Sequence, residues 1–192
     1  SNDQGKRPPP PADWENQLGQ GKHFEERLDA SFAYYRDRGY AIIEKTPEPM
    51  RPTKNLGNGK FIAFFEKKAQ PDYKGTIKGG RTVMFEAKFT AKERMEQDRV
   101  EREQGEYLDR HERLGARCYV LAGFGSGEVY RIPWPTWRAM KELFGRKYVT
   151  EADLEQYRVH TAWNATLQLL DERKEITMSE ISMYEAQKKK LQ

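Results

Sequence analysis

Residues 116–125, ARCYVLAGFG, constrain the fold more than any other stretch. The run has strand length and carries one charge, Arg117, near its start. A stretch this apolar is a strand buried on both faces, which places it at the centre of a sheet with helices over it. Other strands are read at residues 40–47 (YAIIEKTP), 61–69 (FIAFFEKKA), 81–90 (RTVMFEAKFT) and 127–134 (GEVYRIPW). All are rich in β-branched or aromatic residues. Residues 48–60 collect prolines, glycines and asparagines and read as a loop or protruding hairpin. Residues 72–80, DYKGTIKGG, read as turn-rich.

Helices frame this sheet. In residues 21–39, Phe24, Leu28, Phe32 and Tyr35 fall on one helical face, and Gly39 is the stop. Residues 91–114 alternate in charge and read as a helix laced with ion pairs. Residues 135–145 predict a helix with Trp137, Met140, Leu143 and Phe144 inward, and Thr150 with Asp153 opens a short helix. Residues 1–20 are proline-rich and polar and read as a flexible arm, and residues 159–192 as a C-terminal helical extension. Trp163, Leu167, Leu170 and Ile176 are its apolar positions, there to support a dimer or to cap the core. The order predicts one compact α/β domain.

Composition narrows the function. Of 192 residues, 36% are hydrophobic and 33% charged, yet 12% are aromatic, which argues against global disorder. No window offers eighteen uncharged apolar residues, so no membrane helix is expected. The N-terminus shows no apolar leader, and the single Cys118 excludes an intramolecular disulfide and a cysteine-cluster zinc site. A reducing cytoplasm is the expected setting. The net charge is +4, and residues 45–68 account for all of it: Lys45, Arg51, Lys54, Lys60, Lys67 and Lys68 against Glu48 and Glu66. Such a local excess suits a phosphate backbone, and equally a solvated lysine-rich loop. Phe61, Phe64 and Phe65 lie in the same region; packing at the base of the protrusion is favoured over stacking on bases.

The chemistry concentrates in Pro71-Asp72 followed by Glu86-Ala87-Lys88. Hard cations such as Mg²⁺ take oxygen ligands and keep several waters, so two carboxylates hold one and leave room for a phosphate oxygen and a water. Alternation along a strand puts Glu86 and Lys88 on one face. Lys88 then stands where it can orient the water and offset charge on a phosphorus centre. Charges inside the otherwise apolar MFEAKF need a partner if buried. The bland alternative is a solvent-facing strand. The histidines show no metal-ligand spacing, Cys118 suits a core position, and no phosphate-binding glycine loop occurs.

PD followed by EAK resembles the signature of the PD-(D/E)XK nuclease superfamily. More finely, residues 21–49, 71–88, 103–124 and 145–157, in order, resemble the RecU-type Holliday junction resolvases. The resemblance covers about residues 20–158. It implies a restriction-endonuclease-like mixed sheet flanked by helices, with a protruding stalk at about residues 46–68 inside a nuclease domain of residues 21–158. It implies Asp72 and Glu86 as metal-binding carboxylates for Mg²⁺ or Mn²⁺, Lys88 as the catalytic lysine, and Gln104 as a glutamine close to the metal. Glu25 matches an acid of the first helix, or is a surface glutamate. The family usually carries a threonine two residues before the aspartate. Here Gln70 either supplies an oxygen in its place or leaves that ligand missing. The implied activity is paired symmetric nicking of four-way DNA junctions by a homodimer, leaving ligatable 5′-phosphates, in recombination and repair. A recombinase or branch-migration helicase is the implied further partner. Two other readings suit the same residues: an endonuclease of the superfamily acting on flaps or duplex, and a DNA-binding recombination modulator with a weakened site.

Overall fold

The computed structural model describes residues 14–170. Its strands are β1 (Ala41–Lys45), β2 (Met50–Gly57), β3 (Lys60–Phe65), β4 (Tyr73–Ile77), β5 (Thr82–Thr90), β6 (Arg94–Glu96), β7 (Arg117–Phe124), β8 (Val129–Pro133) and β9 (Tyr148–Thr150). Its helices are α1 (Trp14–Asp37), α2 (Arg102–Arg113), α3 (Trp134–Arg138) and α4 (Met140–Phe144). Five strands form one mixed sheet in the order β1-β4-β5-β7-β8, with β5 and β7 parallel and the other neighbours antiparallel. A parallel pair needs a crossover, and α2 lies within it. The expected α/β class, a mixed sheet flanked by helices, is therefore the observed one.

The run at 116–125 becomes β7, buried at seven of its eight residues. Alternation divides the core into two halves. Val83, Phe85, Tyr119 and Leu121 face α1 and pack on Phe24, Leu28, Phe32 and Tyr35. Met84, Cys118, Val120 and Ala122 face the other way, onto Leu108 of α2 and Trp134 and Trp137 of α3. The four aromatic and aliphatic residues read as the inward stripe of α1 are all buried.

Several boundaries differ from the sequence reading. Residues 14–20 belong to α1 rather than to a flexible arm; residues 1–13 lie outside the described residues. Residues 91–114 are not one helix. Arg94–Glu96 pairs with β9, a 3₁₀ turn follows at Gln97–Arg99, and α2 begins only at Arg102. Residues 72–80 are mostly strand β4. Gly75 sits inside it because a Cβ there would lie 1.8 Å from the Ile42 carbonyl oxygen. The segment 135–145 splits into α3 and α4, and Thr150 with Asp153 precedes only a 3₁₀ turn at Glu155–Tyr157. Residues 159–170 form no helix. They dock as an irregular strap: the Tyr35 hydroxyl donates to the Leu167 carbonyl, and the Leu167 N–H donates to the Ser31 hydroxyl. Leu167 and Leu169 are fully buried and cap the core, whereas Trp163 is exposed. Ile176, with residues 171–192, lies outside the described residues. No helix among the described residues is long and apolar enough to cross a membrane.

The hairpin β2–β3 stands off this core. Every one of its strand residues is exposed. Phe61, Phe64 and Phe65 are 54%, 66% and 73% exposed, so they do not pack the stalk base as favoured from the sequence.

Candidate functional site

Register builds the site. Tyr73 pairs with Phe85 across β4 and β5, so one step further Asp72 stands beside Glu86. Tyr73 anchors this end of β4: its ring packs 4.9 Å from that of Phe32, and its hydroxyl donates to Asp29 Oδ1 at 2.6 Å. The Thr46 N–H donates to the Asp72 carbonyl, so the Asp72 backbone is also held by the chain leaving β1. The side chain is fixed in turn, because the Ala87 N–H donates to Asp72 Oδ2 at 2.9 Å.

Glu86 and Lys88 lie on one face of β5, as alternation requires, and Lys88 Nζ is 3.1 Å from Glu86 Oε1. Glu86 is 1% exposed. Two carboxylates side by side across an antiparallel pair repel, and burial compounds the cost. Burial first, and Asp72 second, push the Glu86 carboxyl up to about 7, against the opposing pull of Lys88. Glu86 Oε2 is buried without a hydrogen-bond partner. Native proteins rarely leave such an atom unsatisfied without a functional reason.

Gln104 reaches the same carboxylate from α2. Its Nε2 donates to Glu86 Oε1 at 2.9 Å, while its Oε1 accepts the Glu101 N–H at 3.0 Å. That second bond is half of a capping box at the start of α2. It fixes the amide's direction, since a backbone donor needs the oxygen. Gly105 lets α2 approach: a Cβ there would sit 3.0 Å from the Trp134 ring. Expected as a group beside a metal, Gln104 meets Glu86, but its oxygen is already engaged by Glu101.

The other expected residues divide. Glu25 is on α1 and pairs at 3.0 Å with Lys45, which also lies near enough to Asp72 to feel its charge. Gln70 is exposed, and its Oε1 accepts from Lys74, so the structure does not bring it to the carboxylate pair. Arg51, Lys54 and Lys60 project from the hairpin. Lys67 bridges to Glu101 at 2.7 Å and Glu103 at 3.0 Å, tying the hairpin's exit to the first turn of α2. Lys68 was expected to meet phosphate, but its Nζ lies 2.9 Å from Asp72 Oδ1 and only 12% of its side chain is exposed. No sequence signal distinguishes it from its basic neighbours.

A divalent cation fits this donor set. One orphaned carboxylate oxygen and a second carboxylate beside it supply hard oxygen ligands, and the Ala87 carbonyl is adjacent in sequence. Among the described residues no group of three or more His, Cys, Asp or Glu side chains is arranged to hold a metal ion.

Known proteins place the chain. A family model described as Recombination protein U matches residues 19–175. A protein of Streptococcus sanguinis, named Holliday junction resolvase RecU, is 32% identical over 125 residues, covering 62% of each chain. One of Geobacillus thermodenitrificans with the same name is 29% identical over 163 residues, covering 79% of this chain and 78% of its own. The streptococcal match thus spans less than two thirds of that relative's length. A solved structure of Archaeoglobus fulgidus Hjc, a Holliday junction resolvase, aligns with a TM-score of 0.42 at 14% identity, over 70% of this chain and 92% of that one.

Proposed function

The chain belongs to the Recombination protein U family, and from that premise we propose that it is a Holliday junction resolvase, a metal-dependent endodeoxyribonuclease that nicks four-way DNA junctions. The observation that carries the reading is the Asp72–Glu86 pair with its orphaned buried oxygen beside Lys88. Asp72 and Glu86 are the residues that would hold Mg²⁺ or Mn²⁺. When bound, the ion would supply Lewis-acid chemistry for phosphodiester hydrolysis.

The chain's own residues do the rest. Gln104 holds Glu86 in its rotamer by donating to Oε1. The Ala87 N–H holds Asp72. Lys88 is only 18% exposed, so its ammonium offsets phosphate charge in a partly dewatered site, where the effect is stronger than in solvent. The exposed hairpin carries Arg51, Lys54 and Lys60 towards backbone phosphates, and its exposed phenylalanines offer stacking surfaces at unpaired bases. Selectivity then rests on shape and charge more than on base edges. A two-fold homodimer supplies the two sites that paired nicks require. The setting is the cytoplasm, with a recombinase or branch-migration helicase as a further partner.

The test is a labelled four-way junction beside linear duplex and flap controls, in Mg²⁺ and in Mn²⁺, with Asp72→Asn run in parallel. Paired symmetric nicks on the junction, lost in the variant, are the expected result. Equal cutting of all three substrates identifies a general nuclease instead, and binding without cleavage a recombination modulator.

A further inference from the structure

We propose that Lys68 is a positioning residue that sets how tightly the carboxylate pair takes a divalent cation, because its ammonium pairs with Asp72 Oδ1 and competes by charge with such an ion. The proposal rests on the metal-dependent reading of the pair.

Exposure separates Lys68 from its neighbours. Its side chain is 12% exposed, against 51% for Lys45, 60% for Lys67 and 77% for Arg51. A side chain so covered and aimed inward is badly placed for a phosphate on the surface.

The two lysines of the site act on different kinds of atom. Lys88 and Gln104 both meet Glu86 Oε1, which leaves Oε2 open. On Asp72 each oxygen already accepts a donor. Its Oδ2 is held by the Ala87 N–H, a backbone donor fixed by the sheet. Its Oδ1 is held by Lys68 at 2.9 Å, a donor on a flexible stem. A cation that approaches Asp72 Oδ1 meets the charge of the Lys68 ammonium, and binds there more easily once Lys68 withdraws. The ammonium is thus a monovalent stand-in that balances Asp72 until a stronger cation replaces it.

Lys68 also has somewhere to go. Glu48 Oε1 lies 3.8 Å from Nζ, and its side chain is 64% exposed, so it offers a second, more solvated seat. Glu48 is two residues before β2, and Lys68 is three residues after β3. The ammonium's two anionic neighbours are therefore the metal carboxylate and the opposite leg of the hairpin. Its departure from one towards the other links the metal site to the base of the stalk.

The experiment titrates Mn²⁺ alone into the full chain by calorimetry, for wild type, Lys68→Met, Lys68→Arg and Asp72→Asn, each checked for folding by circular dichroism. Methionine keeps the stem's packing and removes the charge. The expected result is about tenfold tighter Mn²⁺ binding in Lys68→Met, the size of one charged hydrogen bond. Arginine keeps the cation and should bind as wild type does; loss of the Asp72→Asn site anchors the comparison. If Lys68→Met does not fold, Lys68→Gln replaces it with the same expectation. Unchanged or weaker binding in the neutral variant, with the Asp72 dependence intact, overturns the role of Lys68 alone. Equal tightening in the arginine variant also overturns it, since shape rather than charge then matters. Mn²⁺ binding that is undetectable in wild type or indifferent to Asp72→Asn overturns the metal reading beneath it.

Discussion

Glu86 is 1% exposed and held by Lys88 and Gln104, while every strand residue of the hairpin at 50–65 is exposed, apolar ones included. The two regions are joined by a few residues. Lys68 links the hairpin's exit to Asp72, and Lys67 links it to α2. The carboxylate face is over-determined: a backbone donor, a capping box and close-packed rings each fix one of its parts. The hairpin has two strands and no core of its own, a marginal arrangement in water. The difference teaches where each kind of residue belongs. On the proposed reading, groups that hold an ion in place are built on the sheet, and groups that adapt to a bent, branched partner are set outside it.

Substitutions can break this contrast from either side. The largest effect is expected from Asp72→Asn. Cleavage should fall on the order of a thousandfold, with unfolding temperature and junction binding close to wild type, as gel cleavage, thermal melts and mobility shifts will show. Gln104→Ala should cost about ten- to a hundredfold in cleavage, because Glu86 loses the donor that orients it. If single-turnover rates are unchanged, the capping box serves only α2. On the hairpin the pattern should invert. Phe64→Ala with Phe65→Ala should weaken junction binding about tenfold. Unfolding free energy should move by less than about 0.5 kcal/mol, since the rings touch no core. A large loss of stability would show that the hairpin packs after all.

The smallest effect concerns pH. Burial and Asp72 raise the Glu86 carboxyl from 4.5 to about 7 in the folded protein. A raised carboxyl lets the folded state keep a proton that the unfolded state has released. Stability present below about pH 4.5 is therefore lost as pH rises towards 7. Without metal, Glu86→Gln should be more stable than wild type at pH 8 by on the order of 1 kcal/mol, and the gap should close at pH 4.5. Chemical denaturation at the two pH values reads it directly. Metal affinity should run the other way and weaken below pH 7, because the ligand must be deprotonated.

Much of the carboxylate face was legible because alternation is a local rule. Placing Glu86 and Lys88 on one face needs only the run MFEAKF, and the helical stripe of α1 needs only its spacing. What escaped depends on partners far along the chain. Arg94–Glu96 is a strand because Tyr148–Thr150 lies beside it, and alternating charges cannot reveal that. Residues 159–170 look helical by composition, but Ser31 and Tyr35 capture their backbone as a strap. Gly75 reads as a turn glycine, yet its role is to let the Ile42 carbonyl come close. Lys68 is the sharpest case, because counting charges assigns it to phosphate and only the fold aims it at Asp72.

The most direct test removes one region and keeps the other. The Glu66 N–H donates to the Pro49 carbonyl, so the two legs already meet there, and a two-residue Asn-Gly turn can replace residues 50–65. The shortened chain should keep wild-type unfolding behaviour and Asp72-dependent Mn²⁺ binding, and should lose its preference for a four-way junction over linear duplex. Undiminished junction preference in that variant would contradict the account, for the core alone would then read the branch point.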